Sequence, residues 1–571
     1  MNQSEFALKP MLKHWFDDFS AFKNGAVWLF LLLVSVFYLL TAAGNLSETD
    51  DVFAFAYRAE NFAYSHVSDP RLMLYHMLMR GLYLLTNTVM QPFNVDISAL
   101  TSMRLFSAVC ASLSLYLLFR IIIINLKLRP TTALITVCLL GFSYGFWRYA
   151  VEAEVYIPAI MLCLLVFHLL HNASIEKTAL ACAVGILSGL TILFYQPAVI
   201  PLLFAFPFLL LTKTAWKSLL VYGVSATLVV VIGYLVGYWL YWPNTFSPTE
   251  FAAFLSQRSE EFMVPSLSIK TVIVSVIRAI FAIGHDFTSA NWIFSLPFIT
   301  DVVQKVFPQN VLQEEIFMAR HLGWLVYPLM VLQLALISIV CWLVWRGCRL
   351  LKQLRMTRSG WVILGWLVIN GAIIGRLNPG GIEAWIMVFP AIMLMVALVV
   401  IEPLIQDHKT IIVSCVILLL IQNSLGGMAM VHDAKHDFHQ AKGKWIIENS
   451  RPEDLVIIAG DASMTEALRY LAAAQVVNIS LFDRNVIALG LLSARLEKIQ
   501  VNTRGRDFSG MPLSVIVRKT LKNHGRIIVF EEFFGGPKER SNEILMRLKN
   551  NSLLQFESTD TSDTYIIKTQ H

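Results

Sequence analysis

The chain has 571 residues, of which 56% are apolar and only 15% are charged, with a formal net charge of +6 and a mean hydropathy of +0.62. A soluble enzyme of this length would carry about a quarter charged residues, so the composition argues against a water-soluble protein and for a membrane one. The positive balance lies mostly in short basic loops between apolar runs and gives no reason to expect a nucleic-acid partner.

Crossing about 30 Å of hydrocarbon takes roughly 20 helical residues, and about eleven apolar runs come near that length. In chain order they are Val27–Ala43, Ile97–Ile124, Thr131–Gly145, Val155–Leu170, Ala179–Leu193, Ala198–Leu211, Leu219–Leu240, Leu322–Trp345, Trp361–Gly375, Ala384–Ile401 and Ile411–Leu425. Lys and Arg in short loops mark the cytoplasmic side. The basic run "RGCRLLKQLRMTR" (Arg346 to Arg358), Lys127, Arg129, Lys177, Lys213, Lys217 and Lys409 then all face inside. That orientation puts the N-terminus in the cytoplasm of a multi-pass protein, the bacterial inner membrane being the expected home, and places residues 44–96, 241–320 and the C-terminus outside. The first run reads as an anchor rather than a cleaved signal, because a long segment precedes it and "TAAG" is a poor cleavage site. Cys110, Cys138, Cys163, Cys182, Cys341, Cys348 and Cys415 fall in spans or on the inner side, which leaves no disulfide framework outside and suits packing thiols.

Between Tyr241 and Arg320 the stretch "TVIVSVIRAIFAIG" is too short to span and carries Arg278, so it reads as an interfacial or re-entrant helix. Residues 1–427 form the membrane domain. From residue 428 onwards charge rises and short runs such as "DLVIIAG", "VVNISLF" and "RIIVFEEF" alternate with the helical patterns "MTEALRYLAAA", "VIALGLLSARLEKIQ" and "KERSNEILMRLKN". That alternation predicts an extracytoplasmic α/β domain over 428–571. Its strand-to-helix turn lacks the spacing of a nucleotide-binding loop, and Asp461 or Ser463 serves as an ordinary helix cap.

Three polar groups fall on the outer face. In "SETDDVFAFAYRAENFAYSH" the pair Asp50/Asp51 caps a helix or supplies a catalytic carboxylate, and Arg58 follows on the same helix. In "GFWRYAVEAEVYIP" Glu152 and Glu154 occupy a turn between two spans with Arg148, in a loop too short to carry them far into water. In "GRLNPGGIEAWIMVFP" Arg376 precedes a Pro-Gly-Gly turn whose amides could hold a phosphate, a snorkelling arginine beside a plain turn being the other reading. Glycosyl transfer from a polyprenyl-phosphate sugar needs one base for the acceptor hydroxyl and cations for the phosphate leaving group. The candidate catalytic residues are therefore Asp50, Asp51, Glu152 and Glu154, and the candidate phosphate-binding residues are Arg376, Arg148 and Arg58. His66 and His76 are too isolated to form a metal site. No cofactor is required by this reading, and a divalent metal held by carboxylates and substrate phosphate is left open.

At these residues the chain resembles the GT-C class of integral-membrane glycosyltransferases. "DDVFAFAYRAENFA" is similar to the class's first outer-loop signature, and "FSYGFWRYAVEAEVY" is similar to a run in protein O-mannosyltransferase-like membrane proteins. The resemblance implies a polytopic all-α, GT-C-like fold and a polyprenyl-phosphate sugar donor. It also implies transfer to a hydroxyl of a protein, glycolipid or polysaccharide, with one of Asp50 and Asp51 as the base and Glu152/Glu154 as the second acidic site. The stretch "SHVSDPRLMLYHML" departs from the class and leaves sugar and acceptor open. A lipid-linked sugar flippase or transporter is the rival reading, against which stand charges at one face rather than the midplane.

Overall fold

The computed structural model describes residues 25–47, 51–62, 69–172, 178–210, 216–241, 246–255, 268–306, 313–350, 356–479, 513–530, 533, 554–559 and 564–569. These divide into two compact units. One comprises residues 1–43 and 62–433, the other 44–61 and 434–571.

The first unit is helical. Five of its stretches, Ala99–Asn125, Trp216–Leu240, Gly323–Leu350, Arg358–Leu377 and Phe389–His432, are long and apolar enough to cross a membrane. A sixth span arises if Pro130–Gly141 and Tyr144–Ala150, which meet at a 68° bend, are taken together. The expected count of about eleven rests partly on runs that form shorter apolar helices, Trp28–Leu40, Tyr156–His171, Thr178–Phe194 and Gln196–Leu210. Phe389–His432 joins two of the expected runs. Straight, its 44 residues would extend about 66 Å, twice the hydrocarbon thickness, and non-helical backbone at His408 interrupts it.

The helices Thr178–Phe194 and Trp216–Tyr241 pack at close range for a reason readable in "GILSG". A β-carbon at Gly185 would strike Ser225 and the Tyr222 backbone, and one at Gly189 would strike Val229. Small residues four apart let two backbones approach where no water drives association. The helix Ile269–Phe287 is amphipathic in an inverted sense. Ile269, Val272, Ile273, Val276, Ile277 and Ile280 form an exposed stripe, while Ala282 is buried with Trp385 and Val388. An exposed apolar stripe suits a lipid boundary, and the helix expected here as interfacial or re-entrant extends to 19 residues.

The second unit is α/β. Its strands are β1 (Leu455–Ala459), β2 (Gln475–Ile479), β3 (Ile527–Phe530), β4 (Leu554–Ser558) and β5 (Thr564–Thr569). They form one sheet in the order β2-β1-β3-β5-β4. The first three are parallel, and β5 and β4 continue antiparallel. Val456, Ile458, Val476, Ile528 and Phe530 pack against Ile446, Met464 and Leu468 of two helices. Asp461 is the helix cap, accepting from the Met464 amide at 2.8 Å after Gly460 turns the chain at positive φ. The two other expected helices, over 486–500 and 538–550, lie outside the described residues.

Asp454, just ahead of β1, is the polar anchor of this sheet. Its carboxylate accepts from the amides of Arg451 and Arg526 at 2.8 Å each and pairs with the Arg526 guanidinium at 2.7 Å. Burial alone would raise its pKa, but the Arg526 side chain and the two amides outweigh it and hold the carboxyl below the usual range. An acid so lowered stabilises the fold above the unfolded carboxylate value of about 3.9 and loses that contribution as pH falls through its folded value. We expect hydrogen-exchange protection of β1 and β3 to fall below about pH 4. Arg526→Ala should cost about 3 kcal/mol at neutral pH, and urea titration followed by exchange reads both effects.

Candidate functional site

Within the run from Phe142 to Tyr156, residues 143–155 are buried without interruption although they include Arg148, Glu152 and Glu154. One helix ends at Gly141, and Tyr144–Ala150 forms a short helix in place of the continuous span expected to Gly145. Every residue of that short helix is buried. It is held from several sides: Trp147 Nε1 donates to Thr41 Oγ1 at 2.8 Å, and Tyr75 OH donates to the Ala153 carbonyl at 3.0 Å. Asn423 donates to the carbonyls of Phe142 at 2.7 Å and Phe287 at 3.1 Å, and accepts from the Ser289 amide at 2.8 Å. One buried amide thus fixes where the loop meets the end of the helix Ile269–Phe287.

Within this frame Glu152 is fully buried and Arg148 is 3% exposed. They pair at 2.6 Å, and Arg104 stands 3.7 Å from the other Glu152 oxygen. Arg104 also donates to the Ala43 carbonyl at 2.6 Å. Glu152 is therefore a neutralised carboxylate between two guanidiniums, and Arg148 is committed to it. Glu154, also buried, faces a different set. Tyr149 stacks edge-on against Tyr156 and Tyr156 against Tyr195, with ring centroids 5.1 and 5.6 Å apart. Tyr149 lies within electrostatic reach of Glu383, Asp286, Glu154 and Arg148.

Asp286 was not among the residues singled out by sequence, and Glu383, which stands opposite Arg376 at the other edge of the Pro-Gly-Gly turn, was given no role there. Asp286 sits one residue from the end of Ile269–Phe287 and is fully buried. Among the described residues neither of its oxygens has a hydrogen-bond partner. Burial, and then the negative Glu383, hold its carboxyl well above the ordinary carboxylate range. Gly145 packs against it, and an added β-carbon there would land on the carboxylate. The only sequence signal was an acid one turn past an amphipathic stripe, in the string "HDF".

Arg376 lies in the last turn of Arg358–Leu377 and is half-buried. The turn behind it is cross-braced. Asn378 Nδ2 donates to Glu383 Oε1 at 3.3 Å, and Trp385 Nε1 donates to the Pro379 carbonyl at 3.1 Å. The Arg278 side chain runs alongside Gly380, so a second guanidinium accompanies this turn. Asp51 and Arg58 belong to the second unit. Asp51 opens the helix Asp51–Glu60 and is exposed, while Arg58 in its last turn is half-buried. Asp50 and His66 lie outside the described residues. His76 is buried with its ring against Tyr75. Among the described residues no three acids, histidines or cysteines are grouped as metal ligands.

No family model and no curated protein matches the chain by sequence. Solved structures do match by shape. ArnT from Cupriavidus metallidurans bound to undecaprenyl phosphate aligns over 95% of this chain and 98% of its own, with a TM-score of 0.52 and 10% identity. The apo oligosaccharyltransferase of Archaeoglobus fulgidus covers 96% of this chain and 75% of its own, with a TM-score of 0.43 and 13% identity. At 10% identity the likeness to ArnT is one of fold.

The contact between Gly145 and Asp286 yields a test of the site's packing. Gly145→Ala should destabilise the protein by about 1–3 kcal/mol through overpacking. Asp286→Ala in the same chain should recover most of the loss, as read by thermal unfolding in detergent.

Proposed function

We propose that the protein is a GT-C membrane glycosyltransferase that moves a sugar from a polyprenyl-phosphate donor to a hydroxyl on a protein, lipid or polysaccharide. The observation that carries the reading is the fold likeness to ArnT over nearly the whole chain, in a structure bound to undecaprenyl phosphate. The first-loop acids and the "VEAEVY" run support it from the sequence side.

In this reading the acceptor oxygen attacks the anomeric carbon as the bond from that carbon to the phosphate oxygen breaks. Polyprenyl phosphate leaves as an anion, and the acceptor proton passes to a carboxylate, for which Asp50 or Asp51 is the proposed base. A single displacement inverts the anomeric centre. The leaving phosphate needs cations rather than an acid. Arg376, beside a turn that Arg278 also borders, is the proposed partner. Arg58 is a further candidate, and Arg148 contributes less because Glu152 already neutralises it. Glu154 is the proposed second acid, in reach of the tyrosines that would line the sugar.

The reading is tested with protein in nanodiscs and polyprenyl-phosphate sugars as donors, following release of polyprenyl phosphate. Asp50→Asn and Asp51→Asn, made separately, should include one variant with turnover reduced about 10²-fold or more and donor affinity little changed. Wild-type turnover in both removes the pair from the mechanism. Arg376→Ala should weaken donor binding about tenfold, the worth of a hydrogen bond to a charged group, and an unchanged affinity rejects that assignment.

A further inference from the structure

The helix that opens with Asp51 is built into the second unit. Asp437, fully buried, is the cap of the helix Phe438–Asn449, accepting from the Gln440 amide at 2.8 Å. The same carboxylate accepts from the Leu46 amide at 2.7 Å and the Ser47 hydroxyl at 2.6 Å. Ser47 Oγ in turn accepts from the His439 amide at 3.0 Å, and Asn45 Nδ2 donates to the His436 carbonyl at 2.9 Å. At the far end of Asp51–Glu60, Tyr470 donates to Glu60 at 3.0 Å, and its ring meets Phe53 with centroids 5.9 Å apart. Val52 through Ala56 are buried without interruption.

One carboxylate thus does two jobs. A helix cap needs a single acceptor for one amide, whereas Asp437, besides accepting from the Gln440 side chain at 3.0 Å, also holds the chain entering the acidic loop. Asp51 follows Ser47 by four residues, so the latch confines it to within roughly 14 Å of a fixed point. We propose that Asp437 is a positioning residue: through Leu46 and Ser47 it holds the Asp51 helix in register for transfer, so that the C-terminal unit sets the catalytic rate. The inference rests on the transferase reading above. Misplacing a reacting group by about 1 Å can cost on the order of 10²-fold in rate.

Three variants separate the latch from the cap. Asp437→Asn keeps an oxygen for the Gln440 amide but turns a donor towards the Leu46 amide. Ser47→Ala removes the hydroxyl, which also serves the His439 amide, and leaves the Asp437 cap on Gln440 intact. Asp461→Ala removes a cap of the same kind elsewhere in the unit, where the Asp461 carboxylate accepts from the Met464 amide. In full-length protein in nanodiscs, hydrogen exchange of residues 46, 47 and 51–60 should speed up about tenfold or more in the first two variants. It should stay unchanged in the third, with β1 and β3 protected throughout. With a polyprenyl-phosphate sugar as substrate, kcat should fall about tenfold in the first two with donor KM within about twofold, and Asp461→Ala should keep the wild-type kcat.

Unchanged exchange at 46–60 overturns the latch. A loosened loop with wild-type kcat, or a fall shared equally by Asp461→Ala, overturns its link to the rate. A wild-type protein that transfers no sugar overturns the functional reading and the rate claim with it, while the exchange measurement still decides the latch.

Discussion

The pairing of Arg148 with Glu152 is the constraint on which the rest of the first unit depends. A carboxylate and a guanidinium with almost no exposure cannot stand alone in a medium of low dielectric, where removing one partner costs about 3–5 kcal/mol. Their contact at 2.6 Å is an i,i+4 pair, a spacing that helical backbone satisfies by itself, and it lies just past the 68° bend between Pro130–Gly141 and Tyr144–Ala150. Arg104 adds a second cation from another helix and ties the cluster to the end of the first one through Ala43. With Glu152 neutralised by these partners, Glu154 is the acid of the motif left to face the tyrosines.

The second constraint is that buried backbone groups must be paired. Where helices bend or end inside the unit, side-chain amides take over. Asn423 serves two carbonyls and one amide, Gln422 donates to Gln333 at 2.9 Å, and Ser289 donates to the Gly426 carbonyl at 2.7 Å. The last acceptor lies in Ser424–Met428, a widened turn of π-helical form. Such turns expose carbonyls that a regular helix would use internally. Here the exposed carbonyl pins the segment that follows Asp286, so the placement of that acid is inherited from the polar network. Gly145 completes the fit, since any side chain there would occupy the space of the carboxylate.

In the second unit the sheet carries its own stability. Asp454 and Arg526 lock the start of β1 to the start of β3, and the apolar core fills in around them. The helix Asp51–Glu60, contributed by a distant part of the chain, shares this unit. A domain that looks like an appendage in sequence therefore contains the proposed catalytic loop.

Much was legible from sequence because it follows local rules. Apolar runs of membrane length marked helices, β-branched runs at "LVIIA", "QVVNI" and "IIVF" marked β1, β2 and β3, and the acid after a glycine turn marked a helix cap. The acidic pairs and Arg376 were visible because charge beside lipid is costly and stands out. Four things were decided only by tertiary structure. The attachment of residues 44–61 to a domain some 390 positions later leaves no local trace, because an N-cap aspartate looks the same whether or not it holds a second segment. The burial of Asp286 depends on a glycine 141 positions earlier. The division of labour between Glu152 and Glu154 depends on which cations arrive from other helices, and the bend between Gly141 and Tyr144 is held at the Phe142 carbonyl by Asn423, 281 positions later. Composition and periodicity set what each segment could be, and the pairing of buried charges and amides across the chain decided which groups were brought together.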